Sequence, residues 1–244
     1  MEKYNVYENC NMQDLLGETL RPGGFTLTDR AIEYCHFSKR DILLDLGCGC
    51  GASIAYLNRN YGIRGIGIDP SEQLLERARE SYPSGQFIMG IGESLPFDPE
   101  SFDGVLAECT LSLMDDVKLT MQEVYRVLKK DGCFIITDVY ARRPSYITGL
   151  EKSRPKSCFR GLHDIDDLKS LAKNTGFEIL YFEDCSNVLK ELMVKIIFSY
   201  GSMGVFWGKV TGNCVDGEKY YKLIKSCKPG YFLMIVKKGG VNHG

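Results

Sequence analysis

Ile42-Leu-Leu-Asp-Leu-Gly-Cys-Gly-Cys-Gly51 joins a short apolar run carrying one acid, Asp45, to three glycines at alternate positions. The run reads as a buried strand and the glycines as a tight turn opening a helix. Without a Cβ at these positions the backbone can approach a nucleotide-like ligand closely, and the helix N-terminus then faces it. Farther on, Gly65-Ile-Gly-Ile-Asp69 supplies a second strand ending in an acid. That acid is placed to accept hydrogen bonds from ribose hydroxyls, as in doubly wound nucleoside sites. The two segments together specify an α/β sheet that binds an adenosine-containing molecule.

The glycines leave the cofactor open, because Gly47-x-Gly49-x-x-Ala52 also fits the looser dinucleotide fingerprint of nicotinamide enzymes. The order of the segments after Asp69 separates the readings. Asp69-Pro70-Ser71 opens a helix carrying Leu74, Leu75 and Ala78, Phe87-Ile-Met-Gly-Ile-Gly-Glu-Ser-Leu-Pro-Phe97 comes next, and Ser101-Phe-Asp-Gly-Val-Leu106 closes the series. From about Ile42 to Tyr140 this ordered set resembles the class I S-adenosylmethionine-dependent methyltransferases. The resemblance implies a Rossmann-like, doubly wound, seven-stranded sheet with its last strand antiparallel, and S-adenosyl-L-methionine as cofactor. It further implies that Asp45 orients the ligand's amino group, and that the turn at Gly47, Cys48, Gly49 and Gly51 faces its carboxylate. Asp69 would hold the ribose, and Pro70 would border the adenine. Family members often carry an acid or amide at the position of Ile91, which leaves the Gly92 amide and Glu93 to meet the adenine. Glu108, after the fourth strand, would face both cofactor and acceptor. Asp69 has a structural alternative as N-cap of the helix beginning at Ser71.

A chain of 244 residues forms one domain with an adequate core. We expect a helical cap over residues 1–40, a cofactor-binding half over 42–140, and an acceptor-side half over 141–244. Hydrophobic residues at 44% and charged residues at 25% are ordinary for a globular protein, and a net charge of -2 gives no basic footprint for nucleic acid. The first residues, Met1-Glu-Lys-Tyr-Asn, carry no apolar signal segment, so a cytoplasmic setting is expected. Leu192 to Val210 is apolar but interrupted by lysines and glycines, and reads as an amphipathic helix plus a glycine-rich loop, not a membrane span. The 10 cysteines follow no zinc spacing and are expected reduced, with no metal bound. Cys48 and Cys50 read as small filler in the turn.

Strands are expected near 42–46, 64–68, 86–89, 103–107 and 132–138, with helices near 51–60, 71–81 and 117–129. The third helix should stop at Asp131-Gly132 as a glycine C-cap. A helix over 165–174, a strand over 177–183 and a last strand over 228–237 complete the pattern. Arg21-Pro-Gly-Gly24 divides the cap, where Tyr4, Tyr7 and Arg21 could close over the ligand. Arg21 would then pair the methionine carboxylate, or else lie on the surface beside the turn.

For the acceptor, Ala107-Glu-Cys109-Thr-Leu-Ser-Leu and Thr137-Asp-Val-Tyr-Ala-Arg142 are similar to the arsenite methyltransferases. These carry a cysteine at the position of Cys109 and another matching Cys158, counted from Gly176-Phe177. Two thiolates suit a soft trivalent arsenic centre. The family's further cysteine after the glycine turn is absent, replaced by Ala52, Ser53 and Ile54, and Cys10 and Cys35 do not reproduce its N-terminal pair. The leading expectation is therefore methyl transfer by in-line displacement to an organic small molecule. Under it Cys109 and Cys158 line the pocket, and Glu108, Tyr140 or His163 could orient or deprotonate the acceptor. His163 reads first as a solvated residue near a helix start and only second as a base, and His36 and His243 carry less. Methyl transfer needs a base only where the acceptor must lose a proton, so no catalytic residue is assigned. A nicotinamide-dependent oxidoreductase and a non-catalytic nucleoside-binding protein remain as more distant alternatives.

Overall fold

The computed structural model describes residues 5–8, 19, 21–151, 157–213 and 215–239. Its strands are β1 (Ile42–Leu46), β2 (Arg64–Asp69), β3 (Gln86–Met89), β4 (Phe102–Glu108), β5 (Leu128–Ala141), β6 (Phe177–Asp184) and β7 (Pro229–Lys238). They form one 7-stranded sheet in the order β3-β2-β1-β4-β5-β7-β6. Pairing is parallel from β3 through β5, while β7 runs antiparallel to both β5 and β6. This is the expected fold class. The chain winds outward from β1 to β3 and then crosses to β4, so the switch point of the sheet lies beyond the carboxyl ends of β1 and β4.

Among the described residues the α-helices are α1 (Asn5–Glu8), α2 (Thr26–Cys35), α3 (Ala52–Tyr61), α4 (Glu72–Ser81), α5 (Val117–Val127), α6 (Ile147–Glu151), α7 (Ile165–Thr175), α8 (Ser186–Tyr200), α9 (Met203–Val210) and α10 (Gly217–Ser226). Successive strand residues serve opposite faces. Leu43, Leu106 and Ile135 pack with α2, α8, α9 and α10, whereas Leu44, Val105 and Phe134 pack with α5 and α7. A sheet covered on both faces explains why its strands read as near-continuous apolar runs. Among the described residues no helix is long and apolar enough to cross a membrane.

Two expectations fail. The helix expected to reach Asp131-Gly132 ends at Val127, because Leu128 is extended (φ -70, ψ 137) and pairs with Phe102. The Glu100 and Ser101 amides bond the Arg126 and Val127 carbonyls, drawing the chain into the sheet before its basic residues are reached. Residues 129–132 bulge between the Phe102–Leu128 and Gly104–Cys133 pairs. The left-handed residue there is Asp131 (φ 65), held by Lys237 at 2.8 Å, not Gly132. The glycine-rich loop expected after the long apolar helix is instead α9, capped by Ser202, whose hydroxyl accepts the Val205 amide at 3.1 Å. Gly204 on α9 and Gly217 on α10 serve close approach of the two helices: a Cβ on the first would collide with the Glu218 side chain, and one on the second with the Gly204 carbonyl.

Among the described residues of 1–40 are α1, the turn around Arg21-Pro-Gly-Gly24, and α2. Tyr4, Cys10, His243 and residues 152–156 of the linker lie outside the described residues. The described cysteines are all unbridged.

Candidate active site

Gly47, Gly49 and Gly51 are all left-handed (φ 76, 53 and 77) and form the turn between β1 and α3. A Cβ on Gly47 would lie 2.5 Å from Thr110 Cγ2, and one on Gly51 2.6 Å from Phe87 Cζ. A Cβ on Gly49 would meet nothing within 4 Å. Protein packing thus fixes the outer two, while Gly49 opens on a cavity. The Gly47 and Cys48 amides donate to the Ile68 carbonyl at 2.8 and 3.1 Å, and the Gly49 amide donates to Asp69 Oδ2 at 2.9 Å. The turn is therefore lashed to the end of β2. Cys48 lies beneath it, so close to Gly67 that a Cβ there would be 2.6 Å from its sulfur, which is a packing role.

The cavity, about 660 Å³, sits at the switch point and is bordered by the turn, Asp45, Asp69, Pro70, Gly92 and Glu108. Asp45 is buried, and its Oδ2 has no hydrogen-bond partner in the protein. Burial, then the nearby Glu108, push its carboxyl up to about 7. Asp69 accepts the Ser71 amide on Oδ1 at 2.9 Å, opposite the Gly49 amide on Oδ2. Burial raises its pKa and those two amides oppose the rise. The N-cap of α4 is Ser71, whose hydroxyl accepts the Leu74 amide at 3.3 Å, so Asp69 is not the cap.

Glu108 is wholly engaged by the protein. It accepts from Thr28 Oγ1 at 2.7 Å and Ser53 Oγ at 3.1 Å, and pairs with Arg21 at 2.9 Å. The Arg21 side chain is only 9% exposed and also donates to Ser53, Thr28 and the Gly24 carbonyl. Arg21 is therefore a buried clasp between the cap and β4, not a surface residue. Thr28 and Ser53 were not legible as its partners, since hydroxyls on amphipathic helices carry no sequence signal. Ile91 and Gly92 border the cavity, and Glu93 Oε1 accepts the Asp115 and Asp116 amides at 2.7 and 3.2 Å.

These residues suit an adenosyl amino acid with a cationic centre. The orphaned Asp45 oxygen can receive an ammonium, the open side of Gly49 admits a ligand against the backbone, and Asp69 keeps free lone pairs for two ribose hydroxyls. Asp45 titrates near neutrality in the free protein, and a cation against it favours the charged form. Binding then releases a proton below about pH 7, and affinity rises with pH by at most about tenfold per unit. Calorimetric titrations in buffers of different ionisation heat should show this proton, and Asp45→Asn should remove it; a pH-independent wild-type affinity would contradict the assignment. In the ligand-free protein the same raised pKa has the opposite sense: folding stability falls as pH rises from 3.8 to about 7.

On the acceptor side the structure brings Cys109 and Cys158 together. Cys109 follows β4 in a left-handed conformation (φ 61), its amide donating to the Thr137 carbonyl at 2.6 Å. The neighbouring Cys158 thiol, with burial, pushes the Cys109 thiol well up. Tyr7 on α1 accepts the Cys158 amide at 2.8 Å, and burial raises its phenol strongly. Beyond them lies a second, apolar cavity of about 50 Å³, walled by Leu189, Met193 and Ile196 of α8 and Met203, Phe206 and Trp207 of α9. Tyr7 and Cys109 border both cavities.

Two expected acceptor residues are not brought there. The Tyr140 hydroxyl donates to Asp184 at 3.0 Å and accepts from Arg142 at 3.1 Å, on the surface. His163 is neither solvated nor in a cavity: it is 8% exposed, packed on Phe232, with Nε2 3.5 Å from Asp138. Past the last β4 pair, Glu108 with Thr137, the His163 segment takes over that edge of β5, its amide donating to the Val139 carbonyl at 3.3 Å and its carbonyl accepting the Ala141 amide at 2.9 Å.

Residues 44–136 match the methyltransferase domain family. An uncharacterized methyltransferase of Synechocystis sp. is 32% identical over 57% of this chain and 67% of its own. An O-methyltransferase of Aspergillus nomiae is 30% identical over 58% of this chain and 66% of its own. The chain spans about half to two thirds of the length of these and similar curated relatives. Among solved structures, a phosphoethanolamine N-methyltransferase of Haemonchus contortus in complex with S-adenosyl-L-methionine superposes with a TM-score of 0.75 at 18% identity, over 98% of this chain and 57% of that one.

Proposed function

This chain belongs to the class I S-adenosylmethionine-dependent methyltransferases, and from that premise we propose that it methylates an apolar organic small molecule. The observation that carries the reading is the apolar cavity under α8 and α9, which meets the cofactor cavity at Tyr7 and Cys109. S-adenosylmethionine, when bound, supplies a methyl group already activated by its sulfonium. Asp45, Gly49 and Asp69 would hold the cofactor. The Arg21–Glu108 clasp and α1 close the cap over it and keep water out. The apolar walls align the acceptor, and positioning of this kind supplies about 7–11 kcal/mol of barrier reduction. Tyr7 stays protonated at neutral pH, because burial raises its phenol, so it orients an acceptor oxygen as a donor and does not remove its proton. Acceptors that ionise on their own, phenols and enols, are favoured.

One observation supports a second reading. The paired Cys109 and Cys158 thiols at the cavity junction form the soft site that an arsenite methyltransferase would use. The raised Cys109 thiol makes its thiolate costly, which ranks this reading second. Mass-spectrometric product analysis with phenolic, quinol and isoprenoid acceptors, and with arsenite, separates the two. We expect the Cys109→Ser/Cys158→Ser variant to retain methylation of an organic acceptor within about threefold, since neither thiol does chemistry on it. Methylated arsenite from wild type but not from that variant would instead establish the metalloid reading.

A further inference from the structure

The outer face of the helices that roof the apolar cavity is apolar as well. Val194, Ile197 and Phe198 are 50%, 43% and 87% exposed, and Val205 on α9 is 56% exposed. Spaced i, i+3 and i+4, the first three share one side of α8. Leu189, Met193 and Ile196 line the cavity from its other side. A helix apolar on both sides has a second apolar medium to meet. The two helices carry more basic than acidic residues, Lys190, Lys195 and Lys209 against Glu191, and the segment containing them is basic as a whole. Between Ser186 and Lys228 the sequence holds 7 lysines and 3 acids, a net +4 in a chain whose total is -2. Lys190 and Lys195 are exposed on α8 itself, and Lys209 on α9.

We propose that the outer face of α8 and α9 docks on an anionic lipid surface. Exposed aromatic and aliphatic side chains flanked by Lys190 and Lys195, with Glu191 the one acid on α8, match the interfacial region of such a membrane, where apolar groups enter the acyl boundary and ammonium groups meet the head groups. A second copy of this chain fits less well, because facing patches would set lysines against lysines. The docking would bring the roof of the acceptor cavity to the phase in which an apolar acceptor dissolves. In that purpose it rests on the apolar-acceptor reading; the docking itself is measured with neither cofactor nor acceptor present.

The test is co-sedimentation of the full chain with vesicles of phosphatidylcholine alone and of phosphatidylcholine and phosphatidylserine at about 2:1. We expect pelleting with the anionic vesicles only, weakening as salt rises from about 0.1 M to about 0.5 M. Phe198→Ser should lower the partition coefficient about tenfold or more, and Lys190→Gln/Lys195→Gln should lower it further with little change in thermal midpoint. No preference for anionic vesicles, or pelleting unaffected by Phe198→Ser, would overturn the proposal. Self-association lost in Phe198→Ser, without vesicle binding, would also overturn it and assign the face to a second copy. A cofactor titration of the same preparations reports separately on the methyltransferase reading.

Discussion

Asp69→Ala is expected to weaken S-adenosylmethionine binding by at least about a hundredfold. On the proposed reading the carboxylate has two tasks at once. It holds the Gly49 and Ser71 amides, both at 2.9 Å, and so sets the height of the glycine turn above β2. Its remaining lone pairs face the cavity, where two ribose hydroxyls would bond a charged acceptor. Hydrogen bonds to a charged group contribute about 1.5–3 kcal/mol each, so losing two accounts for a hundredfold or more before any loss of turn geometry. Asp69→Asn keeps one accepting oxygen and should retain intermediate affinity. Isothermal titration with S-adenosylmethionine and S-adenosylhomocysteine measures both variants. An alanine variant that binds like wild type would place the ribose elsewhere.

The second large effect belongs to Arg21. Arg21→Ala removes the cation that faces Glu108 at 2.9 Å, in a pocket that also holds Asp45 and Asp69. Breaking a buried ion pair from one side costs about 3–5 kcal/mol, and for a chain of this size that lowers the thermal midpoint by roughly 6–20 °C. The loss is capped by the free energy with which the cap docks, since α1 and α2 can detach before the sheet unfolds. Arg21→Met/Glu108→Leu removes both charges and should recover more than half of the single-variant loss in scanning calorimetry. Asp45 provides an independent readout. Arg21 lowers its pKa, so the Arg21→Ala variant should release its ligand-linked proton at a higher pH than wild type.

The cofactor half was legible in the sequence for a physical reason. A turn that must be left-handed at 47, 49 and 51 admits little but glycine, and a strand buried on both faces reads as an apolar run, so backbone demands appear directly as residue types. The same rules do not say which glycine touches a ligand. Gly49 and Gly51 look alike in sequence, and only the open space beside the first and Phe87 beside the second tell them apart. Chain direction misled at Asp131-Gly132, where a sheet pairing at Leu128 overrode a good helix-stop signal. It misled again at 201–210, where glycines that looked like a loop permit two helices to touch. On the acceptor side, Cys109 and Cys158 were found through resemblance. The apolar wall opposite them was not, because residues on α8 and α9 converge only through tertiary packing.

The strand order has a consequence for how the protein is made. β7 is sandwiched between β5 and β6, yet a ribosome delivers it after both of them. Until residues 229–238 emerge, β5 and β6 each present an unpaired edge, and the apolar residues that will touch Phe232 and Met234 stay bare. Before β7 emerges the nascent chain therefore exists as a five-strand platform with an adhesive margin. Its demand on chaperones should concentrate in the interval between translation of β6 and emergence of β7.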